Sequence, residues 1–297
     1  MPVLGIDLGG SKILAALIDG PNILERAETS TDREAGPSVW MDQVDGLIRN
    51  CSDRFQCAGL AVTGLVREGM WSALNPETLG LTDPFPLAEA AQARLQVPLR
   101  LANDAQAAAW GEFRHGAGAG HDMVFLTIST GIGGGIVSGG RLIAGASGLA
   151  GNVGQLLPFF DVGDTTLFEE TASGRWIAAK AGEPDARSAF AKAAEDPNSI
   201  AATVIARSAE RVARLCTNLQ LLVDPEVIVI GGGVGLARGY LDRVKQAAAT
   251  ASQVPKISPA ELGAEAGVIG IAALAEELLA EELNERLTND QQIRRTR

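Results

Sequence analysis

The sequence predicts an α/β fold of two related lobes, each built on a mixed sheet. Three observations carry that expectation. Apolar, strand-like runs alternate with helical patterns. Glycines cluster where the strands end, and a strand–glycine–strand pattern near residue 3 returns near residue 123. At roughly 150 residues per domain, 297 residues allow two domains.

The opening hairpin is Val3–Leu8, a Gly9-Gly10 turn, and Ile13–Ile18. A strand follows at Ile23–Glu28, and Trp40, Val44, Leu47 and Ile48 recur at helical spacing. Ala58–Val62 and Leu99–Ala102 read as strands. The second leads through Asn103 into an Ala-rich helix, Asp104–Arg114, closed by Gly116. The glycine-rich stretch His115–His121 is a candidate hinge. A second cycle begins with strand Met123–Ile128, turns over Ser129–Gly135 and resumes at Ile136–Val137. Then come a long helix Pro197–Leu222, strand Val227–Ile230, glycines Gly231–Gly233 and helix Leu236–Ala251. The C-terminal helix carries an apolar stripe of Ala272, Leu274, Ala275, Leu278, Leu279 and Leu283, and residues 288–297 read as frayed. The expected division is a first lobe at 1–118, completed by about 277–297, and a second at 119–276.

Composition narrows the function. Asp and Glu outnumber Lys and Arg, 36 to 25, for a formal charge of -11, which excludes a general nucleic-acid binder. Small anions stay open, because glycine-turn amides and helix N-termini bind phosphate without net positive charge. The N-terminus shows no signal-peptide pattern, and no apolar run approaches the roughly 20 residues that span a bilayer. Cys51, Cys57 and Cys216 are scattered and read as reduced thiols. A cytoplasmic protein with no membrane partner is expected.

Four constellations could carry chemistry. Asp7-Leu8-Gly9-Gly10-Ser11-Lys12 ends a strand: its amides, Ser11 and Lys12 suit phosphate, and Asp7 suits a metal held through water. A plain hairpin with a solvated Lys12 fits the same residues. Thr130-Gly131-Ile132-Gly133-Gly134-Gly135 reads as a second cradle or as a tight hairpin. Gly231-Gly232-Gly233 reads as a nucleotide surface or as close helix–strand packing. Asn103-Asp104 opens a helix, where a carboxylate can act as a general base or either residue can simply cap the helix. Thr63-Gly64 and Leu74-Asn75-Pro76 fit turns and ligand contacts equally. His115 and His121 lack metal-ligand spacing and read as surface histidines.

Taken in order, the first turn, Leu101–Glu112 and Ser129–Gly135 resemble the ROK family of sugar kinases and related repressors, over essentially the whole chain. That resemblance implies the actin-like fold of sugar kinases and Hsp70, with ATP in the cleft between two lobes. The family has Thr where this chain has Ser11. Val62–Gly69, Ala73–Pro76, Phe85–Leu87, Asp122–Phe125 and Gly148–Gly151 are similar to bacterial N-acetylmannosamine kinases of the family. By that likeness Asp104 is the general base on the sugar 6-hydroxyl. Thr63, Gly64, Asn75, Asn103, Asn152, Gln155 and Glu169 are the sugar contacts. The nucleotide contacts are Asp7, Gly9, Gly10, Ser11, Lys12, Thr130, Gly131, Gly133, Gly231, Gly232 and Gly233. ATP and Mg²⁺ are implied, Mg²⁺ through a water on Asp7, and a homodimer is allowed.

One segment departs from the family. Its Gly-Glu(or His)-x-Gly-His pattern reads Gly151-Asn152-Val153-Gly154-Gln155, and 159–167 holds no cysteine. Loss of the His and the cysteines together implies no structural zinc, with the loop held by packing of Phe159, Phe160 and Phe168. A glucokinase or N-acetylglucosamine kinase is the alternative within enzymes. A sugar-responsive repressor would need a DNA-binding domain ahead of a strand that starts at Val3. A silent sugar-binding protein fits the altered Asn152–Gln155 segment, but Asp104 and Lys12 argue against it.

Overall fold

The computed structural model describes residues 1–51, 53–74, 79, 81, 83–157 and 166–295, with side chains in the last helix to residue 284. The strands are β1 Val3–Leu8, β2 Lys12–Asp19, β3 Asn22–Ser30, β4 Ala58–Val62, β5 Leu65–Arg67, β6 Met70–Ser72, β7 Leu99–Asn103, β8 Met123–Ile128, β9 Ile132–Ser138, β10 Arg141–Leu142, β11 Val227–Gly231 and β12 Ile257–Pro259. The helices are α1 Pro37–Ile48, α2 Leu87–Leu95, α3 Asp104–His115, α4 Glu169–Ala172, α5 Gly174–Ala181, α6 Ala186–Glu195, α7 Ile200–Val223, α8 Gly232–Gly235, α9 Tyr240–Ala248 and α10 Ala266–Arg295. Two compact units form, Met1–Gly111 with Glu265–Arg297, and Glu112–Ala264.

In the first unit the sheet order is β3-β2-β1-β4-β7, with antiparallel pairing from β3 to β1 and parallel pairing from β1 to β7. The second unit repeats the plan as β10-β9-β8-β11-β12, antiparallel then parallel. The two strand–glycine–strand segments of the sequence are thus the corresponding hairpins β1–β2 and β8–β9.

Alternation along β1 sorts its two faces. Leu4, Ile6 and Leu8 enter an apolar core with Trp40, Met41 and Val44 of α1 and Leu87 and Ala91 of α2. Gly5 and Asp7 point the other way, toward α10. That face is built for close backbone approach: a Cβ at Gly59 would lie 2.3 Å from the Ile271 carbonyl oxygen. The same holds where α3 crosses α10, since a Cβ at Gly270 would lie 1.8 Å from the Ala107 oxygen. In the second unit Val124, Leu126, Ile128, Ile228 and Ile230 pack with Ile205, Val212 and Leu219 of α7 and Tyr240 and Val244 of α9.

Several boundaries differ from the sequence expectations. The C-terminal helix starts at Ala266 and belongs to the first unit from Glu265 on, because residues 266–275 are buried all round against β1, β4 and β7. The amphipathic stripe therefore thins toward its end: Leu278 and Leu279 are half-buried and Leu283 is exposed. The helix runs on to Arg295 where fraying was expected. The turn expected over Ser129–Gly135 is only Ser129-Thr130-Gly131, and Gly133–Gly135 lie in β9, with Gly133 paired to Thr127. The helix expected over Leu236–Ala251 is Tyr240–Ala248, preceded by the short α8. His115 is half-buried, and His121 is exposed beside Glu226 at 3.4 Å.

The stretch expected as a hinge is fastened at its start. Gly116 and Gly118 amides donate to the Glu112 carbonyl, and the buried Glu112 carboxylate accepts from the amides of Ala117, Glu261 and Leu262. No helix among the described residues is long and apolar enough to cross a membrane.

Candidate functional site

In the first unit the carboxyl ends of the three parallel strands β1, β4 and β7 gather the polar residues, the usual place for ligands of an open α/β sheet. Register places Asp7 beside Ala61, and Val62 beside Asn103. Asn103 ends β7 and caps α3, its Oδ1 accepting from the amides of Ala105 at 3.0 Å and Gln106 at 3.1 Å. Its Nδ2 donates to the Gly64 carbonyl at 2.9 Å. Asn103 is thus largely committed to the fold. The cap leaves Asp104 as the first helical residue, with Oδ1 accepting from the Ala105 amide at 2.8 Å.

Asp7 and Asp104 share one neighbourhood. A Cβ at Gly267 would lie 3.2 Å from Asp7 Oδ2 and 3.8 Å from the Asp104 carbonyl oxygen. Burial, with repulsion from Asp104, pushes the Asp7 carboxyl up to about 7, against a smaller pull from Lys12. Burial pushes Asp104 up to about 6, and the Ala105 amide only partly offsets it. Two neighbouring carboxyls, both raised by burial, make this corner the candidate site. Thr63 and Gly64 lie where β4 turns into β5, the Thr63 carbonyl accepting from Trp71 Nε1 at 2.8 Å. Asn75 lies outside the described residues.

The first glycine turn is held by the chain after β3. Thr31 Oγ1 donates to the Gly9 carbonyl at 2.7 Å and the Thr31 amide to the Ser11 carbonyl at 3.1 Å. Arg33 donates from Nε to the Gly10 carbonyl and from Nη2 to Ser11 Oγ at 3.1 Å. Neither the Gly10 nor the Ser11 amide has an acceptor among the described residues. Those are the donors a phosphate oxygen needs. Lys12 Nζ pairs with Glu28 at 3.1 Å in an exposed, weakly held contact.

In the second unit, Ser129-Thr130-Gly131 is fastened to α5: the Gly174 amide donates to the Ser129 carbonyl at 2.7 Å and the Arg175 amide to the Thr130 carbonyl at 3.2 Å. A Cβ at Gly131 would lie 2.8 Å from Glu169 Oε2, so the turn and the Glu169 carboxylate adjoin. Gln155 Nε2 donates to Glu169 Oε1 at 3.1 Å. Asn152 Nδ2 donates to the Leu149 carbonyl at 3.1 Å and so holds its own loop. At the end of β11 the three glycines differ. Side chains at Gly231 and Gly232 would meet the Phe125 ring and the Ile128 backbone, whereas Gly233 faces open space. Among the described residues no three His, Cys, Asp or Glu side chains group as a metal site, and Cys51, Cys57 and Cys216 are free. Phe168 is buried, while Phe159 and Phe160 lie outside the described residues.

Sequence reasoning missed Arg33 and Gly267. Nothing in local spacing links Arg33 to a turn 22 residues earlier. Gly267 had a signal: two glycines three apart in an apolar helix indicate close backbone packing.

Comparison with known proteins gives consistent results. The sequence model of the ROK family matches residues 3–278. The chain is 49% identical over 280 residues to the bifunctional enzyme NanE/NanK of Brucella melitensis biotype 1, covering 92% of this chain and 54% of that protein. It therefore spans about half the length of that relative. It is 41% identical over 292 residues to the N-acetylmannosamine kinase of Shigella flexneri, covering 93% of this chain and 99% of that enzyme. A ROK glucokinase from Streptomyces griseus, solved with glucose and AMPPNP, superposes with a TM-score of 0.80 at 26% identity, over 93% of this chain and 100% of that one.

Proposed function

The chain belongs to the ROK family, with the actin-like sugar-kinase fold, and from that premise we propose that it transfers phosphate from ATP to the 6-hydroxyl of N-acetylmannosamine. The observation that carries this reading is Asp104: a carboxyl at the start of α3, beside Asp7, whose burial brings it to about 6. A base of that strength is deprotonated at neutral pH and still accepts the proton of an attacking hydroxyl. The likeness to the Shigella flexneri kinase supports the sugar.

The roles divide as follows. Asp104 takes the 6-hydroxyl proton as O6 bonds to the terminal phosphorus and ADP leaves with the bridging oxygen. Phosphoryl transfer asks the protein chiefly for positioning and charge. The Gly10 and Ser11 amides, Lys12, Thr130, Gly131 and the open Gly233 surface are assigned to the nucleotide. Glu169, held by Gln155, is assigned to sugar hydroxyls, and the same role is proposed for Thr63, Gly64 and Asn152.

Asp7 fits Mg²⁺: a hard carboxylate oxygen whose ionised form is disfavoured by burial and by Asp104 gains most from a dication. Mg²⁺ keeps waters and substrate oxygens as ligands, so one carboxylate suffices. When bound it would neutralise phosphate charge. The Asn152–Gln155 loop is held by hydrogen bonds of its own amides, which supports a loop without zinc. The enzyme is assigned to the cytoplasm, with no nucleic-acid or membrane partner.

Release of ADP measured with N-acetylmannosamine, N-acetylglucosamine, glucose and mannose tests the assignment. Turnover should be fastest with N-acetylmannosamine and vanish with a chelator. Preference for glucose would favour the glucokinase alternative, and no turnover on any sugar would favour a silent binding protein.

Two further outcomes are expected. Because the Asp104 carboxyl is raised to about 6 and acts when ionised, kcat/KM should be flat above that value and fall as pH drops through it. A profile still flat at pH 5 would contradict the role. Gln155→Leu removes the donor that orients Glu169, so the sugar KM should rise about tenfold while the ATP KM stays put, one hydrogen bond to a charged group being lost. An unchanged sugar KM would remove Glu169 from the sugar site.

A further inference from the structure

Ser11 lacks the β-methyl that would stiffen a threonine at the same place, so its hydroxyl has three staggered positions open to it. It is also exposed, and no packing selects among them. One neighbour does: Arg33, whose Nη2 donates to Ser11 Oγ at 3.1 Å while its Nε donates to the Gly10 carbonyl. The segment bringing Arg33 there is itself well fastened. The Asp32 carbonyl accepts from the Ala35 amide and from the indole of the fully buried Trp40. The Glu34 amide donates to Asp32 Oδ1, and Thr31 bonds the turn through both its amide and its hydroxyl.

We infer that Arg33 is a positioning residue for the nucleotide phosphates, acting by fixing the Ser11 hydroxyl. A guanidinium can only donate, so it occupies a lone pair of Ser11 Oγ and leaves the serine's own hydrogen to donate elsewhere. The Gly10 and Ser11 amides are also without acceptors among the described residues. Two backbone amides and one oriented O–H then form a three-donor set for a phosphate oxygen, with a cation fixed beside it. This rests on the kinase reading for the identity of the anion.

A double-mutant cycle tests it. Arg33→Ala should loosen Mg·ATP binding, measured by calorimetry, and raise the ATP KM about tenfold, with the sugar KM unchanged. In a Ser11→Thr background the β-methyl orients the hydroxyl instead, so the same Arg33→Ala change should cost less than about twofold. Equal losses in both backgrounds would mean that Arg33 only braces the turn through Gly10, and would overturn the inference. So would a wild-type ATP affinity in Arg33→Ala alone. Absence of sugar turnover in the unaltered protein would overturn the kinase reading instead, while the calorimetric cycle with Mg·ATP would still decide the role of Arg33.

Discussion

Asp104→Asn should lower kcat by about 10²–10⁴-fold with little change in either KM. The amide keeps the shape of the carboxyl and can still accept from the Ala105 amide, so α3 and its Asn103 cap stay as they are. What is lost is the ability to take a proton from the sugar hydroxyl at the moment of transfer. The substitution also removes a charge that pushes Asp7 upward, so Asp7 should titrate lower in the variant. That gives a second readout, by carbon NMR of the Asp7 carboxyl. Turnover within tenfold of the unaltered protein would show that the proton leaves by another route.

Gly270→Ala should destabilise the protein by about 3 kcal/mol, read as a lower urea midpoint at constant slope. The new methyl would lie 1.8 Å from the Ala107 carbonyl oxygen and 2.7 Å from the Gly111 amide nitrogen, both backbone atoms that cannot rotate away. Only separation of α3 from α10 relieves the clash. Those helices carry Asp104 and Gly267, which border Asp7 in the acidic corner, so activity should fall with stability. Gly46 in α1 is the control: a Cβ there meets nothing within 4 Å, and Gly46→Ala should stabilise by about 0.5–1 kcal/mol through helix propensity. Equal effects at the two positions would contradict the packing described.

Much of this was legible in the sequence, for identifiable reasons. Strands buried on both faces read as continuous apolar runs, and β1, β4 and β8 appear with the expected limits. The Asn103-Asp104 ambiguity narrows because Asn103 takes the cap, which leaves Asp104 as the carboxyl proposed for the acid–base role. The turn was expected to run through Gly135 because close strand packing and tight turns both favour glycine. A Cβ at Gly134 would clash with the Phe125 and Gly151 carbonyl oxygens, whereas Gly131 borders Glu169. The helix after β11 started late because Gly239 has a left-handed backbone and separates α8 from α9. Arg33 was invisible because its partners lie in a separate turn, brought beside it by the pairing of β2 with β3 and by Thr31.

The proposed transfer of phosphate to O6 of N-acetylmannosamine leaves a product whose linkage can be read directly. Phosphorus–proton correlation NMR of the product formed from ATP and N-acetylmannosamine tests it directly. The expected spectrum couples phosphorus to the two protons on C6, with product accumulating in step with ADP. Coupling to the proton on C1, or release of ADP with inorganic phosphate and an unmodified sugar, would contradict it.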